Sequence, residues 1–306
     1  MDPNRRILIT GASGFLGGWL VQAAAEHGQV FAVYRRRAFP DAPARWLPCD
    51  LSDAAAAAAL IRDVAPQVVI HAAAAANLDW CEEHRDQAYR INVCATQAIA
   101  QTCAAIGARL VYISSDMVFD GEQGGYAETD PVHPLSFYGW TKVEGERAVR
   151  EAIANSVIVR TALMFGDPLY GGSSFSVWLE GELEAGKPVR LFMDQFRSPL
   201  WVGTAAQAIV ELALSEFVGT LHLGGTERID RFSFGSVLAE ALGLRRDLLM
   251  PVPLRSVPMP APRPRDLSLK VDLARSVLRT ELQDVRTAVR ELVRWRKLRS
   301  GSLTPK

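Results

Sequence analysis

An apolar run, Arg6–Thr10 (RILIT), leads straight into TGASGFLG, with glycines at 11, 14 and 17. No other feature restricts the fold as much. A strand that turns at once into a helix needs glycine where the chain bends (Gly11), where a ligand approaches the backbone (Gly14), and where the helix lies close on the sheet (Gly17). The start of that helix offers unpaired N–H groups and the positive end of its dipole, which suit the pyrophosphate of a dinucleotide.

The rest of the first half repeats the same rhythm. Short β-branched runs at 30–34, 47–50, 68–72, 109–114 and Ser156–Thr161 predict strands, with helices expected over 15–27, 53–65, 79–106 and 138–155. In the long helix, Asp79 followed by Glu82 has the spacing of a capping box. Strict alternation implies right-handed crossovers and a parallel sheet covered on both faces. The expected class is α/β, a doubly wound parallel sheet (Rossmann) with a smaller C-terminal α/β substrate lobe. The rhythm changes near residue 166, which divides the chain into a dinucleotide-binding domain (1–165) and a substrate-binding lobe (166–306), interleaved. Prolines crowd 251–264, too dense for helix or central strand and suited to an ordered extended segment. Two short helices, 273–279 and 284–296, precede a tail, SGSLTPK, expected to fray.

Composition removes several functions. The 306 residues carry 34 Lys plus Arg and 34 Asp plus Glu, so no global field draws the chain to nucleic acid or to an anionic membrane. No apolar run approaches the ~20 residues of a membrane span. The N-terminal apolar stretch is far too short for a signal h-region plus cleavage site, and a cytoplasmic protein is the expectation. Cys49, Cys81, Cys94 and Cys103 lack metal spacing and are expected to be reduced thiols, with no metal site.

Each end of the cofactor groove has its own residues. An NAD site places an acidic residue after the second strand to hold the ribose hydroxyls. Here that strand ends in Arg35-Arg36-Arg37, and guanidiniums suit a 2′-phosphate, so NADP(H) is expected, with NAD(H) as the alternative. Asp50 and Leu51 are candidates for the adenine, and Ala72, Ala73 and Ala74 leave room for cofactor beside the backbone. The fifth strand ends in Ser114 and Ser115, at the sheet edge where such folds bind ligands. Tyr138 and Lys142 lie one helical turn apart further on. A carbonyl reduced by hydride needs a proton donor. Lys+ beside a tyrosine favours the phenolate and lowers its pKa, and a serine hydroxyl can hold the carbonyl oxygen.

With these elements in order, the sequence resembles the extended short-chain dehydrogenase/reductase family over nearly its whole length. The resemblance rests on TGASGFLG, Asp50-Leu51, HAAA after the fourth strand, Asn92 in INVCAT, SSD at 114–116 and YGWTK. It implies catalytic roles for Ser115, Tyr138 and Lys142. It also implies cofactor contacts at Gly11, Ser13, Gly14, Phe15, Leu16 and Asn92, and from Tyr138 and Lys142. Within the family, ISSDMVFDG, YGWTKVEGE, DQFRSPLWVG and PRPRDLSL are most similar to the dTDP-4-dehydrorhamnose reductase branch, whose members reduce a keto sugar on a nucleotide carrier. The branch's aromatic after Ser-Thr-Asp is Met117 here, and the glycine of its DQ-x-G-x-P segment is Arg197. With Asp116, these are the candidate substrate contacts. The implied partner is a small keto sugar nucleotide, and a homodimer stays open. NLDWCEEH is also similar to the regulatory β subunit of methionine adenosyltransferase, which makes an NADP-binding regulatory subunit the alternative. A sugar-nucleotide epimerase or dehydratase is a further one. His71 and His84 lack a partner at metal spacing and are expected to be packed or solvated, and His133, between Val132 and Pro134, is expected to be part of a loop. The tryptophans are expected mainly to pack, and VRWRKLR at 293–299 to be a solvated helix face.

Overall fold

The computed structural model describes residues 4–301. Of the predicted frayed tail only Ser300 and Gly301 are described; 302–306, like 1–3, lie outside. The first half alternates as its rhythm demands. β1 (Arg6–Thr10) leads to α1 (Phe15–Ala24), β2 (Gln29–Tyr34) and β3 (Arg45–Pro48). Next come α2 (Ala54–Val64), whose N-cap Asp53 accepts the Ala55 and Ala56 N–H groups, and β4 (Val68–His71). Such a cap contributes about 1 kcal/mol.

The expected single helix over 79–106 is broken into pieces. α3 (Leu78–Glu83) and α4 (Arg85–Tyr89) are followed by a π-helical turn over Arg90–Cys94 and then α5 (Ala95–Ile106). The cap is Asn77, which accepts the Trp80 N–H at 2.9 Å. The expected capping box does not form, because both of its carboxylates have tertiary partners. Asp79 binds the Ala261 N–H and Arg263, and Glu82 binds the Phe137 N–H at 2.7 Å. The ladder then resumes with β5 (Arg109–Ser115), α6 (Phe137–Ala152) and β6 (Ser156–Thr161).

In the second half the order is β7 (Met164–Phe165), α7 (Phe175–Glu184), β8 (Val189–Phe192), β9 (Phe196–Arg197), β10 (Leu200–Trp201), α8 (Val202–Leu214), β11 (Gly219–Leu223) and β12 (Ile229–Asp230). The chain continues through α9 (Arg231–Ala241), β13 (Leu249–Val252), α10 (Asp272–Val277) and α11 (Val285–Arg299).

Seven parallel strands form the main sheet in the order β11-β6-β5-β4-β1-β2-β3. The order reverses between β1 and β4, the switch point beside which doubly wound sheets bind ligands. One face packs on α1 and α8 through Leu20, Val21, Ile209 and Leu212. The other packs on α2, α5 and α6 through Ile61, Ile99 and Val149. Strands covered on both sides must be apolar throughout, as VVIH and SVIVRT largely are. A separate core around Phe165, Leu179, Leu191, Phe234 and Leu292 joins β7, α7, β8, α9, β13 and α11, while Ala274 of α10 packs in the core shared with α1 and α8. The chain crosses the boundary expected at residue 165 more than once, since α8 and β11 return to the main sheet. The proline-rich segment begins as an edge ladder: β13 pairs with β8, with Pro251 opposite Leu191, and an edge tolerates a proline's missing donor.

Candidate active site

The groove at the switch point encloses about 610 Å³. Gly11, Ser13 and Gly14 line its floor; Arg35 and Arg36 stand at one end with Asp50 and Leu51, and Ala72, Ala73 and Ala74 form a wall. Gly11 adopts φ +68°, and a Cβ there would sit 2.8 Å from the Ala73 backbone. A Cβ on Gly17 would overlap the Gly11 carbonyl oxygen. The bare backbone is therefore a cradle that side chains would fill, and the start of α1 opens onto it. Phe15 and Leu16 are the first residues of α1, and the Leu16 side chain turns into the core. Asp50 accepts the Ser52 N–H at 2.9 Å; that bond, with the Arg35 charge, holds its carboxyl below the usual range.

Of the expected cofactor contacts, Phe15, Leu16, Asn92, Tyr138 and Lys142 are not among the residues lining the groove. Asn92 Oδ1 accepts the Ala75 N–H (2.8 Å), and its Nδ2 donates to the Ala75 carbonyl (3.0 Å) and to Thr141 Oγ1 (3.0 Å). With both ends of the amide engaged, it ties the groove wall to α6. The π-helical turn is the local distortion on which it sits, a feature frequent at functional sites.

Ser115 and Tyr138 meet because of two caps. Ser136 caps α6 by accepting the Gly139 N–H (3.1 Å), which sets Tyr138 in the first turn. Ser115 ends β5 and caps the turn after it, accepting the Met117 N–H (3.2 Å) while donating to Asp116 Oδ1 (3.0 Å). The lysine–tyrosine electrostatics differ from expectation. Burial raises the Tyr138 phenol well above its ordinary value, with the Ser115 hydroxyl opposing the rise. Lys142 donates to the Ile113 carbonyl (2.6 Å) and lies 4.3 Å from the centre of the Tyr112 ring. Burial takes its pKa down to about 7, against the pull of Glu146. At Lys142 desolvation outweighs the Glu146 charge; at Tyr138 the nearby charges add to the rise, and the lowering expected from Lys142 is not among the causes.

Beyond Ser115 lies a cluster of charges. Arg197 Nε stands 3.9 Å from Asp116 Oδ2, and burial raises the Asp116 carboxyl. The antiparallel pairing of β9 with β12, Arg197 opposite Ile229, brings Arg231 beside them. Burial, and then Arg197, lower the Arg231 pKa to about 9, and its guanidinium sits 3.8 Å from the Phe175 ring. Met117 packs with Tyr138 and Cys81 in a buried cluster instead of facing the groove. Arg231 had no signal in the sequence. Trp80, Gln87 and Ile91, which also line the groove, came from the helix whose breaks were unforeseen.

The histidines hold structural positions. His71 lies between Thr10 Oγ1 (2.7 Å) and Thr96 Oγ1 (3.0 Å), and burial lowers its pKa to about 3. His84 stacks on Trp80. Among the described residues no group of three or more His, Cys, Asp or Glu could hold a metal ion, and no helix is long and apolar enough to cross a membrane.

Comparison with known proteins matches residues 5–297 to the family described as RmlD substrate binding domain. The chain is 34% identical over 274 residues to methionine adenosyltransferase 2 subunit beta of Bos taurus, covering 87% of this chain and 80% of that protein. It is also 34% identical over 267 residues to dTDP-4-dehydrorhamnose reductase of Mycobacterium tuberculosis, covering 85% and 83%. Among solved structures, dTDP-4-dehydrorhamnose reductase from Bacillus anthracis in complex with NADP aligns with a TM-score of 0.83 at 25% identity, over 95% of this chain and 99% of that one. A match that runs from β1 into α11 assigns the whole architecture to one lineage: the chain belongs to the RmlD substrate-binding-domain family, the dTDP-4-dehydrorhamnose reductase-like branch of the extended short-chain dehydrogenases/reductases.

Proposed function

We propose that this protein is an NADPH-dependent ketoreductase acting on a keto group of a nucleotide-linked sugar. The observation that carries the reading is the meeting of Ser115, at the end of β5, with Tyr138 in the first turn of α6, Lys142 following on the same helix face, in the sheet whose first turn forms the glycine cradle. Gly11, Ser13 and Gly14, with the N–H groups that open α1, would hold the pyrophosphate of the cofactor. Arg35 and Arg36 would pair with a 2′-phosphate, Asp50 and Leu51 would border the adenine, and Ala72–Ala74 the path between. Bound NADPH supplies hydride from its nicotinamide ring.

The chain's own residues do the rest. Tyr138, protonated because it is buried, holds the proton that the carbonyl oxygen takes up. Ser115 can turn its hydroxyl from Asp116 to that oxygen and orient it. Lys142 places a positive charge behind the tyrosine, favouring the phenolate left by proton transfer. The elements around Phe165, Leu191, Phe234 and Leu292, with β9 and β12, form the substrate side. There Asp116, Arg197 and Arg231 face the part of the substrate remote from the cofactor, and Met117 shapes the site from behind.

A regulatory, non-catalytic subunit is the second reading, favoured by the similarity to methionine adenosyltransferase 2 subunit beta. An intact proton-donor set argues for catalysis, since binding alone does not require it. The cofactor assignment has its own test. Arg35→Ala with Arg36→Ala is expected to weaken NADPH by about ten- to a hundred-fold while leaving NADH nearly unchanged, read by fluorescence titration. An unchanged ratio of the two affinities removes the 2′-phosphate assignment.

A further inference from the structure

Tyr138, Lys142 and Glu146 recur every four residues along α6 and so share one face of the helix. That face meets the last three residues of β5. Lys142 Nζ grips the Ile113 carbonyl, Glu146 Oε1 accepts from Ser114 Oγ at 2.7 Å, and Ser115 lies beside Tyr138. Two rungs of this ladder belong to the proposed mechanism. The third has no role in it.

Glu146 is fully buried and richly bonded. Besides Ser114, Oε1 accepts from Arg160 Nε (2.9 Å), and Oε2 accepts from Arg160 Nη2 (2.8 Å) and Arg150 Nη2 (2.7 Å). Fastening a helix to a sheet does not require this, because a buried ion pair is often no more stabilising than well-packed apolar residues of similar volume. The surroundings of Lys142 suggest another purpose. From β5 it faces the Tyr112 ring and the Ile113 carbonyl, and from β4 His71, which stays neutral. Asn92 and Thr96, on the π-helical turn and α5, are uncharged. Asp116 is turned to Arg197 and Ser115, and Glu82 to the Phe137 N–H. On its own helix Lys142 has Tyr138 and Glu146, and Glu146 is the anion that acts on its charge.

We propose that Glu146 is a positioning residue: clamped by Ser114, Arg150 and Arg160 one turn beyond Lys142, it keeps that lysine cationic and seated against the strand end carrying Ser115. This deepens the ketoreductase reading, which needs Lys142 charged. With its pKa at about 7 the lysine is near half protonation at neutral pH, so a modest change in local field alters its charge substantially. Losing one further unit would leave about one-tenth protonated at pH 7.

The test uses neither cofactor nor substrate, so it stands or falls separately from the ketoreductase reading. The chain has five lysines, at 142, 187, 270, 297 and 306. Carbon-13 NMR of the full chain labelled at lysine Cε, followed across pH, therefore titrates Lys142 individually without a reagent having to reach its buried amine, with exposed Lys187 as internal reference. Glu146→Gln is expected to move the Lys142 midpoint down by about one pH unit, and Glu146→Asp to restore most of the shift, with Lys187 unmoved. A folded Glu146→Gln chain with an unmoved Lys142 midpoint overturns the proposal. Should that variant fail to fold, Arg150→Gln decides. It removes a half-exposed cation that partly neutralises Glu146, so the Lys142 midpoint should rise by a few tenths of a unit; no rise overturns the proposal equally.

Discussion

Replacing Tyr138 with phenylalanine should lower kcat for ketone reduction by about 10²–10⁴-fold at neutral pH, with NADPH affinity within about two-fold of wild type. The substitution removes one hydroxyl and little volume. It leaves the Ser136 cap, the Lys142 contact to Ile113 and the packing of α6 on β5 in place. What disappears is the proton donor beside Ser115. The phenol suits that role because burial keeps it protonated far above neutral pH, while Lys142 stands ready to favour the charge that transfer leaves behind. Single-turnover rates with NADPH separate this loss from one of binding. Reduction at the wild-type rate by Tyr138→Phe would remove Tyr138 from the chemistry.

Gly17→Ala should cost about 3 kcal/mol of stability or more and weaken NADPH binding together with it. The added methyl would overlap the Gly11 carbonyl oxygen and crowd Ala12 Cα, 2.7 Å away, both rigid backbone that cannot step aside as a side chain does. Relief requires α1 to lift off β1. That lift pulls the Leu20 and Val21 face from the core and opens the glycine cradle at once. Gly181 on α7 is the control, because a Cβ there meets nothing within 4 Å. Gly181→Ala should be neutral or stabilising by up to about 1 kcal/mol through helix propensity. Urea denaturation with NADPH titration reads both variants. Equal stability of Gly17→Ala and wild type would contradict the close packing of this turn.

These effects explain why some of the molecule was legible in its sequence and some was not. The strand–glycine–helix turn and Ser136–Lys142 are local: caps, period and φ requirements lie within a few residues, and local rules suffice. α8 and β11 could not be read, because GTLHL becomes a sheet strand only by pairing with β6, across about sixty residues. The helix expected over 79–106 breaks at His84, just after the segment whose Asp79 and Glu82 take tertiary partners, and turns π-helical where Asn92 bridges Ala75 and Thr141. Arg231 reaches Arg197 only through the pairing of β12 with β9. The electrostatics were misjudged for a related reason. Helical spacing put a lysine one turn from a tyrosine, but burial, a property of the assembled fold, is the largest influence on both groups.

The most direct test of the central claim is NADPH oxidation by the wild-type chain, followed by absorbance against a panel of nucleotide-linked 4-keto sugars, dTDP-4-dehydrorhamnose included, with NADPH affinity measured in parallel. Turnover of at least one member, lost in Tyr138→Phe, is the expected result. Tight NADPH binding with no oxidation by any member of the panel would contradict the ketoreductase reading and leave a cofactor-binding regulatory subunit in its place.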